Sequence, residues 1–406
     1  MTGAGPDHEL VLLPSLRASP GRDGRIVMTR KFLNGVDAYA RVWPGPVHVL
    51  AELSEHPTDD LDHTEIDPRD PAARVTPRPG QPDALAARLQ NAAAVLGFLS
   101  PYQLDIAARC AQMRVPLIFT SEYSPRTEKQ IVDAGTRNPL LRWRRKLWID
   151  GAERKRIAAL RIAAGIQCSG TPAFEHYRPY NDNALLFFDN RVPVDDVIDA
   201  EALERKLAAL EQPRPLRLVF GGRLIAMKGV LELPRIAAAL RRRGVAFTLD
   251  IYGAGQLEQA LRDAIRRQSL QDLVTLRGVV DFATGWIPLL KQQADLFVCP
   301  HPQGDPSSTY PEVMSCGVPI VGYANEAFEG VVRESGSGWL CPMQDAEAMG
   351  GRIASLSGAR TQIAAAARLA REFARQHAFE ITFTRRARHL IDSSRLPGSL
   401  KSQGAA

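Results

Sequence analysis

The stretch Phe220-Gly221-Gly222-Arg223-Leu224-Ile225-Ala226-Met227-Lys228-Gly229 gives the clearest indication of the fold. The apolar run Leu216–Phe220 predicts a buried strand before it, and Val230–Arg243 has the apolar spacing of a helix after it. Glycines between a strand and a helix let the backbone turn sharply and let a ligand approach closely, so Gly222 is a candidate binding residue. A strand, a turn and a helix in this order predict one unit of a parallel α/β sheet.

The same alternation of strands and helices extends in both directions from this segment. In the second half we expect strands at Phe247–Tyr252, Val274–Leu276, Asp295–Cys299 and Pro319–Tyr323, and helices at Leu257–Gln268 and Ile287–Gln293. In the first half we expect strands at Leu10–Pro14, Val47–Leu50, Ala94–Leu99, Leu117–Thr120 and Gly165–Cys168, and helices at Phe32–Val42, Asp83–Ala92 and Gln103–Gln112. The pattern predicts an α/β protein with two Rossmann-like domains that face each other across a cleft. Ligands of such sheets bind outside the carboxyl ends of the strands.

The chain length of 406 residues also favours two domains. We place the first domain at residues 1–205, the second at 206–392, and a disordered Ser/Gly-rich tail at 393–406. Three segments interrupt the strand and helix pattern: a long, mobile surface loop at Glu55–Pro82, a linker helix at Ala200–Leu210, and an Ala/Arg-rich helical stretch at Arg360–Arg388.

The composition is that of an ordinary globular protein, with 45 % hydrophobic and 24 % charged residues, and it excludes disorder of the whole chain. No apolar run is long enough to span a bilayer, and the first residues lack the pattern of a signal peptide. The spacing of the five cysteines matches no metal motif, and an odd number of cysteines does not form a disulfide framework, so we expect a reducing cytoplasm. The net charge of +6 favours an anionic ligand or an anionic membrane surface without deciding between them.

Two cations follow the first predicted strand of the second domain. Arg223 and Lys228 stand at the carboxyl end of Leu216–Phe220, beside the expected cleft. An arginine can bind two oxygens at once and a lysine acts as a point charge, so the pair suits a diphosphate. The alternative is a solvated turn with two surface cations.

A second segment, Gly304–Pro319, has the features of an anion site. Ser and Thr residues precede a short predicted helix, whose first backbone N–H groups are free to bind a phosphate. Glu312 could accept hydrogen bonds from the two hydroxyls of a ribose. Its structural alternative is a capping box over Thr309–Glu312, in which the carboxylate bonds back to the cap.

Taken in order, three motifs resemble one family: Gly-Arg-Leu-x-x-x-Lys-Gly at 222–229, Tyr-Gly-x-Gly at 252–255, and Glu-x-Met-x-Cys-Gly-Val-Pro-Ile-Val at 312–321. They are similar to the donor domain of the retaining glycosyltransferases of family 4, which have the GT-B fold. The resemblance covers about Leu216 to Pro342, and the first half is similar in architecture alone.

The resemblance implies a role for each matching position. Arg223 and Lys228 would hold the diphosphate and offset the charge of the departing nucleotide. Glu312 would bind the ribose. The remaining implied contacts are the backbone around Ser308, Thr309 and Tyr310 at the phosphates and sugar, and Gly253 and Val279 near the base.

The chain departs from the family at two positions. The family acid at the start of the donor loop falls on Gly304, and the nearest acid is Asp305, which could serve the sugar hydroxyls or simply form a turn. Where many members have a histidine, this chain has Thr120-Ser121-Glu122-Tyr123, so Glu122 either faces the sugar or lies on a surface loop. No Asp-x-Asp follows a strand, and we therefore expect transfer with retention, without metal or other cofactor, from a nucleotide diphosphate-sugar.

The stretch Leu140–Arg156 is rich in Arg and Lys and includes Trp143 and Trp148. Such a helix can lie on an anionic membrane, which would suit a lipid-linked acceptor, or it can be a solvated helix of its own domain. A nucleic acid is not expected, because the chain has no motif for one. Two other functions remain open beside hexosyl transfer to a glycan or lipid-linked acceptor: a non-catalytic nucleotide-sugar-binding protein, and an epimerase of the same fold.

Overall fold

A computed structural model describes residues 8–54, 63–70 and 74–396, which form two α/β domains. In chain order the strands of the first domain are β1 (Leu10–Leu13), β2 (Ser19–Pro20), β3 (Ile26–Thr29), β4 (Val47–Ala51), β5 (His63–Ile66), β6 (Val75–Pro77), β7 (Ala94–Phe98), β8 (Leu117–Ser121), β9 (Gly165–Ser169) and β10 (Ala184–Phe187). Seven of them form one parallel sheet in the order β10-β9-β8-β7-β1-β4-β6. The other three, β2, β3 and β5, pair in a small antiparallel sheet.

Helices cover both faces of the first parallel sheet. They are α1 (Arg30–Val42), α2 (Pro82–Leu89), α3 (Asp105–Gln112), α4 (Pro125–Gly135), α5 (Pro139–Ile162) and α6 (Gly170–Tyr177). Successive residues of a strand point to opposite faces, so Leu10 and Leu12 enter one core while Val11 and Leu13 enter the other. A strand buried on both faces reads as an uninterrupted apolar run, and this is why β1 could be predicted from the sequence.

The second domain is built around a six-stranded parallel sheet. Its strands are β11 (Leu216–Gly221), β12 (Phe247–Tyr252), β13 (Val274–Gly278), β14 (Leu296–Cys299), β15 (Ile320–Tyr323) and β16 (Trp339–Cys341). The helices from the linker onward are α7 (Ala200–Glu211), α8 (Leu233–Arg242), α9 (Glu258–Arg267), α10 (Ile287–Gln293), α11 (Thr309–Met314), α12 (Glu326–Ser335), α13 (Ala346–Ser357), α14 (Arg360–Gln376) and α15 (Phe379–Asp392). The strand order β13-β12-β11-β14-β15-β16 reverses direction beside β11, and ligands bind at such switch points.

The expected strands and helices of both halves are present, and their ends agree with the prediction to within three residues. The stretch Arg360–Arg388 is two helices, because the chain turns at His377 and the ring of His377 packs against Phe188 and Phe373. The boundary between residues 205 and 206 stays a prediction. Helix α7 crosses it and packs on the second core through Leu203, Leu207 and Leu210.

Two segment predictions were wrong for the described residues. The segment Glu55–Pro82 is not a continuous loop, because it contains β5 and β6; residues 55–62 and 71–73 lie outside the described residues. The expected disordered tail is ordered over its first four residues. Arg395 donates to the backbone of Met113 and Arg114, and Leu396 is buried in the first domain, while residues 397–406 lie outside the description.

The last helix, α15, returns to the first domain. Its residues Phe383, Ala387 and Leu390 are buried in the same core as α1, and the ring of Phe383 meets that of Tyr39 edge-on at 5.2 Å. The two domains are therefore joined by the linker and by this returning helix. Among the described helices, none is long and apolar enough to cross a bilayer.

Candidate active site in the cleft between the domains

Two glycine turns meet at the carboxyl ends of β11 and β12. Gly222 has a φ of 153° and Gly253 a φ of 127°, and both values favour glycine. A Cβ atom on Gly253 would lie 1.9 Å from the carbonyl oxygen of Gly222, which is too close for any side chain. The turns therefore bring backbone, without side chains, to the position where a ligand would lie.

Arg223 and Lys228 differ in their surroundings although both follow β11. Arg223 is exposed and lines a cleft of about 650 Å³ whose other lining residues belong to the first domain and to α15. Lys228 is 8 % exposed, and its Nζ lies 2.9 Å from Asp305 Oδ2 and 3.3 Å from Ser307 Oγ. A diphosphate at this site would meet one exposed guanidinium and one lysine that already has a carboxylate partner.

The donor loop has little space for a side chain at position 304. A Cβ atom on Gly304 would lie 2.5 Å from Glu326 Oε2, so a side chain there would displace the Glu326 carboxylate. The acid of the loop is instead Asp305, whose carboxylate reaches Lys228. The sequence indicated this shift by one residue but not the ion pair.

Glu312 is held by an arginine that the sequence analysis did not identify. The Glu312 carboxylate is almost fully buried and forms a two-point ion pair with Arg191, with Nε to Oε1 at 2.6 Å and Nη2 to Oε2 at 3.2 Å. The Arg191 guanidinium lies 3.9 Å from the centre of the Phe282 ring. The capping-box alternative was wrong, because helix α11 begins after Ser308 and the N–H of Thr309 donates to Ser307 Oγ.

The other predicted binding residues surround the start of α11 and the end of β13. Ser308 and Thr309 are half-buried, while the Tyr310 side chain is buried with its ring 5.4 Å from that of Phe328. Val279 is exposed just after β13. A ligand could therefore meet Tyr310 through its backbone alone.

The first domain contributes charged groups from the carboxyl ends of its strands. Asp189 follows β10 and pairs with Lys31 of α1, Nζ to Oδ2, at 2.7 Å. Burial alone would raise the pKa of Asp189, but the positive charges of Lys31 and Arg386 hold it below its ordinary value. Arg386 of the returning helix stacks 4.0 Å from the centre of the Phe187 ring, so α15 also lines the cleft.

Glu122 follows β8 and lines the same cleft. Its carboxyl group is open to the cleft, yet protein surrounds it on several sides. This burial, with the nearby carboxylates of Asp189 and Asp305, raises the pKa of Glu122. Within residues 8–54, 63–70 and 74–396, no cluster of three or more His, Cys, Asp or Glu side chains could hold a metal ion.

Two parallel Rossmann-like domains, a cleft at the switch point of the second sheet, and the glycine and basic residues after β11 define the GT-B class of glycosyltransferases. Residues 215–358, which lie in the second half of the chain, match the family described as glycosyl transferases group 1.

Comparisons with known proteins agree with that assignment. The chain is 26 % identical over 299 residues (66 % of this chain and 69 % of the relative) to the putative colanic acid biosynthesis glycosyltransferase WcaL of Escherichia coli (strain K12). It is 31 % identical over 168 residues to the amylovoran biosynthesis glycosyltransferase AmsK of Erwinia amylovora, covering 39 % of this chain and 40 % of the relative. The crystal structure of Anabaena HepE in complex with UDP has the same fold, with a TM-score of 0.66 at 15 % identity, covering 95 % of this chain and 99 % of that one.

Proposed function

We propose that the enzyme moves a hexose from a nucleoside-diphosphate sugar, with UDP or GDP as the nucleotide, to a glycan or lipid-linked acceptor in polysaccharide assembly. The observation that carries the proposal is the pairing of Gly222 and Gly253 beside Arg223 and Lys228 at the carboxyl end of β11. The names of the relatives WcaL and AmsK support a role in polysaccharide biosynthesis, and the complex of HepE supports UDP.

In this proposal the leaving diphosphate is stabilised by fixed charge. Arg223 binds it from the open cleft, and Lys228 exchanges Asp305 for a phosphate oxygen, which leaves Asp305 free to accept hydrogen bonds from the sugar hydroxyls. Glu122 faces the sugar from the first domain, and Glu312 retains lone pairs for ribose hydroxyls while Arg191 holds it. The acceptor oxygen attacks the anomeric carbon on the same face from which the phosphate departs, as the bond between that carbon and the phosphate oxygen breaks. The departing phosphate accepts the proton of the acceptor hydroxyl.

The first prediction tests the two cations. Replacing Arg223 or Lys228 by Ala should each lower the rate of hexose transfer by about 100-fold or more, because charge that develops on the leaving group loses a preorganised partner. The measurement is release of UDP or GDP from a panel of nucleotide sugars with a membrane extract as acceptor. Arg262→Ala is a matched control, because among the described residues the only acidic partner of Arg262 is Glu258, one turn away on the outer face of α9. A Lys228→Ala enzyme as active as the control would remove Lys228 from the mechanism.

The same assay decides two further points. Full activity in the presence of EDTA is expected, and strict dependence on added Mn²⁺ would contradict the proposed metal-free transfer. The ion pair between Lys228 and Asp305 gives the non-catalytic alternative a specific basis, because a neutralised lysine stabilises a leaving group less. Binding of a nucleotide sugar with neither transfer nor hydrolysis would favour that alternative.

We also propose that α5 lies on an anionic membrane surface. Its outward face carries large apolar side chains that are between 41 % and 65 % exposed: Leu140, Leu141, Trp143, Leu147 and Trp148. The opposite face packs on the domain through Ile149, Ala152 and Leu160. Among the described residues, Arg144, Arg154 and Lys155 have no acidic partner, and they lie near the same outward face. Apolar side chains flanked by unpaired cations favour an interface with anionic lipid.

The second prediction tests this surface. The enzyme should sediment with vesicles of phosphatidylglycerol at low salt and not with vesicles of phosphatidylcholine. A Trp143→Ser/Leu147→Ser variant should lose most of this binding and keep its thermal stability, because both side chains are exposed. Leu369→Ser on α14, also an exposed leucine, serves as the control. No sedimentation of the wild-type protein with either vesicle would discard the membrane contact.

A further inference from the structure

The first domain holds the donor loop of the second domain by its backbone. Gln130 of α4 accepts a hydrogen bond from the N–H of Gly304 at 2.9 Å, and Thr127 of the same helix donates to the carbonyl of Gly304 at 3.2 Å. Thr127 is buried, and its hydroxyl is also 3.1 Å from Ser124 Oγ, which caps α4. Both backbone groups of one residue in one domain are therefore bound by a single helix of the other.

Gln130 also binds the start of α12. Its Nε2 donates to both carboxylate oxygens of Glu326, at 3.1 Å and 3.2 Å, and Arg126 pairs with the same carboxylate. The two sets of contacts fix which way the amide points, because only its oxygen can accept from the N–H of Gly304. Since Gly304 has no side chain, the Glu326 carboxylate can lie against its Cα, and one amide bridges the loop and the helix.

This bridge leads directly to the charged groups of the cleft. Asp305, the residue after Gly304, pairs with Lys228, and α4 itself begins three residues after Glu122. A displacement of α4 relative to the second domain would therefore move the backbone that carries Asp305. The charge that Lys228 presents to the cleft depends on where this carboxylate is.

We infer that Gln130 is a positioning residue for the transfer reaction, an inference that rests on the proposed function. It holds Gly304 from the first domain and so sets the separation of Asp305 and Lys228. In this way it couples the contact between the domains to the affinity for a nucleoside diphosphate. Gln130 does not touch the nucleotide, so its effect is transmitted through the loop.

A second contact between the domains provides a matched control. Arg333 of α12 pairs with Glu175 of α6 at 2.6 Å on the surface, away from the donor loop. The variant Glu175→Gln removes this charge pair, and Gln130→Ala removes the contact with Gly304. Both variants weaken the contact between the domains. Gln130→Ala also loses the hydrogen bonds to Glu326, and it alone removes a contact with the donor loop.

The experiment is calorimetric titration of the full chain with UDP and with GDP. Gln130→Ala should weaken binding of the preferred nucleotide roughly fivefold, the effect of one net hydrogen bond, and Glu175→Gln should stay within about twofold of wild type. Unchanged affinity in Gln130→Ala, or an equal loss in both variants, would overturn the inference. If Gln130→Ala fails to fold, Thr127→Val tests the other hydrogen bond by which α4 holds Gly304, because it keeps the shape of the side chain and removes the donor to the Gly304 carbonyl.

Two further measurements separate this role from general stabilisation and from failure of the proposed function. Gln130→Glu places a second carboxylate beside Glu326, and two carboxylates in contact can share one proton. The ratio of its nucleotide affinity to that of wild type at the same pH should therefore rise towards one as the pH falls from 8 to 6, and a constant ratio below one would contradict the positioning role. If wild type binds neither UDP nor GDP, the proposed function fails. Amide hydrogen exchange at residues 303–308 still tests the contact, and unchanged exchange in Gln130→Ala would overturn it.

Discussion

Glu122 has a carboxyl group in the cleft. Folding makes this carboxyl group harder to ionise. Its pKa is raised by burial and by the carboxylates of Asp189 and Asp305, against the weaker opposing effect of Lys31 and Arg386. The folded protein therefore binds a proton at Glu122 over a pH range where the unfolded chain has released it. In this range stability falls as pH rises, from the ordinary pKa of a glutamate up to the pKa in the folded protein.

The third prediction follows from this fall in stability with rising pH. Glu122→Gln should raise the melting temperature at pH 7 by a small amount, on the order of 1–3 °C, and by less at pH 4, where the wild-type carboxyl is already protonated. Differential scanning fluorimetry across this range measures it. A melting temperature that falls at pH 7, or a difference that shrinks as the pH rises, would contradict the proposed environment of Glu122.

Sequence motifs indicate candidate site residues in the second domain more directly than in the first. Arg223, Lys228 and Glu312 lie in specific motifs, whereas Asp189 and Arg191 follow a strand that was not predicted. The four residues of β10 are only half-buried over most of their length, and a short apolar run does not by itself distinguish a strand from a linker. The turn residues on both sides of this run, Asn and Asp at 181–183 and 189–190, were the available signal for a strand. With β10 recognised, the carboxyl-end rule would have indicated both residues.

Among the helices, α7 contains a lysine in an unusual setting. Lys206 Nζ donates to the backbone carbonyls of Leu290, in α10, and Cys316, just after α11, at 2.9 Å and 3.0 Å. Burial lowers its pKa to about 7, although the charge of Asp295 opposes this shift. The lysine therefore links α7 to α10 and to the residue that follows α11. Carbonyl groups at the carboxyl end of a helix have no partner within the helix, so they are available as acceptors.

The fourth prediction concerns the pH dependence of this link. The pKa of Lys206 is lower in the folded protein than in the unfolded chain, so the folded state binds fewer protons between about pH 7 and pH 10 and its stability rises with pH in that window. In Lys206→Met nothing titrates there. In urea unfolding, the free energy of unfolding of the wild type should rise by about 1–2 kcal/mol relative to that of this variant between pH 7 and pH 9. No relative change would show that the Lys206 amine is solvated and not buried.

The element predictions that failed share a physical cause. Strand β5 is polar and largely exposed because it pairs in a small antiparallel sheet with little core beneath it, so no apolar pattern marks it. The break between α14 and α15 has neither Gly nor Pro, and it is set by packing of His377 against two phenylalanines from different elements. Contacts distant in sequence decide both features, and local patterns do not contain them.

At the scale of the whole molecule, the first domain is completed by the end of the chain. Helix α15 and the residues after it bury Phe383, Ala387, Leu390 and Leu396 in the core that α1 and β1 share. Each large apolar side chain fully buried there contributes about 1.5–3 kcal/mol, which together is comparable to the stability of a typical domain. The same helix places Arg386 in the cleft.

The fifth prediction is that a chain ending at Ala378 keeps a folded second domain and loses the first. The second core includes residues up to Ala378 and would remain covered, whereas α1 would expose an apolar face. Limited proteolysis should cleave the truncated protein in the first half and spare the fragment from residue 200 onward. Equal protection of both halves would show that α15 is dispensable.

This return of the chain constrains the order of folding during synthesis. The ribosome releases the first half well before the residues that fill its core, so that half must wait as an incomplete structure while the second domain assembles. Apolar surface exposed during this interval is what chaperones recognise and what aggregates form from. Slower translation of the second half would lengthen the interval, and the yield of folded enzyme in a cell would fall with it.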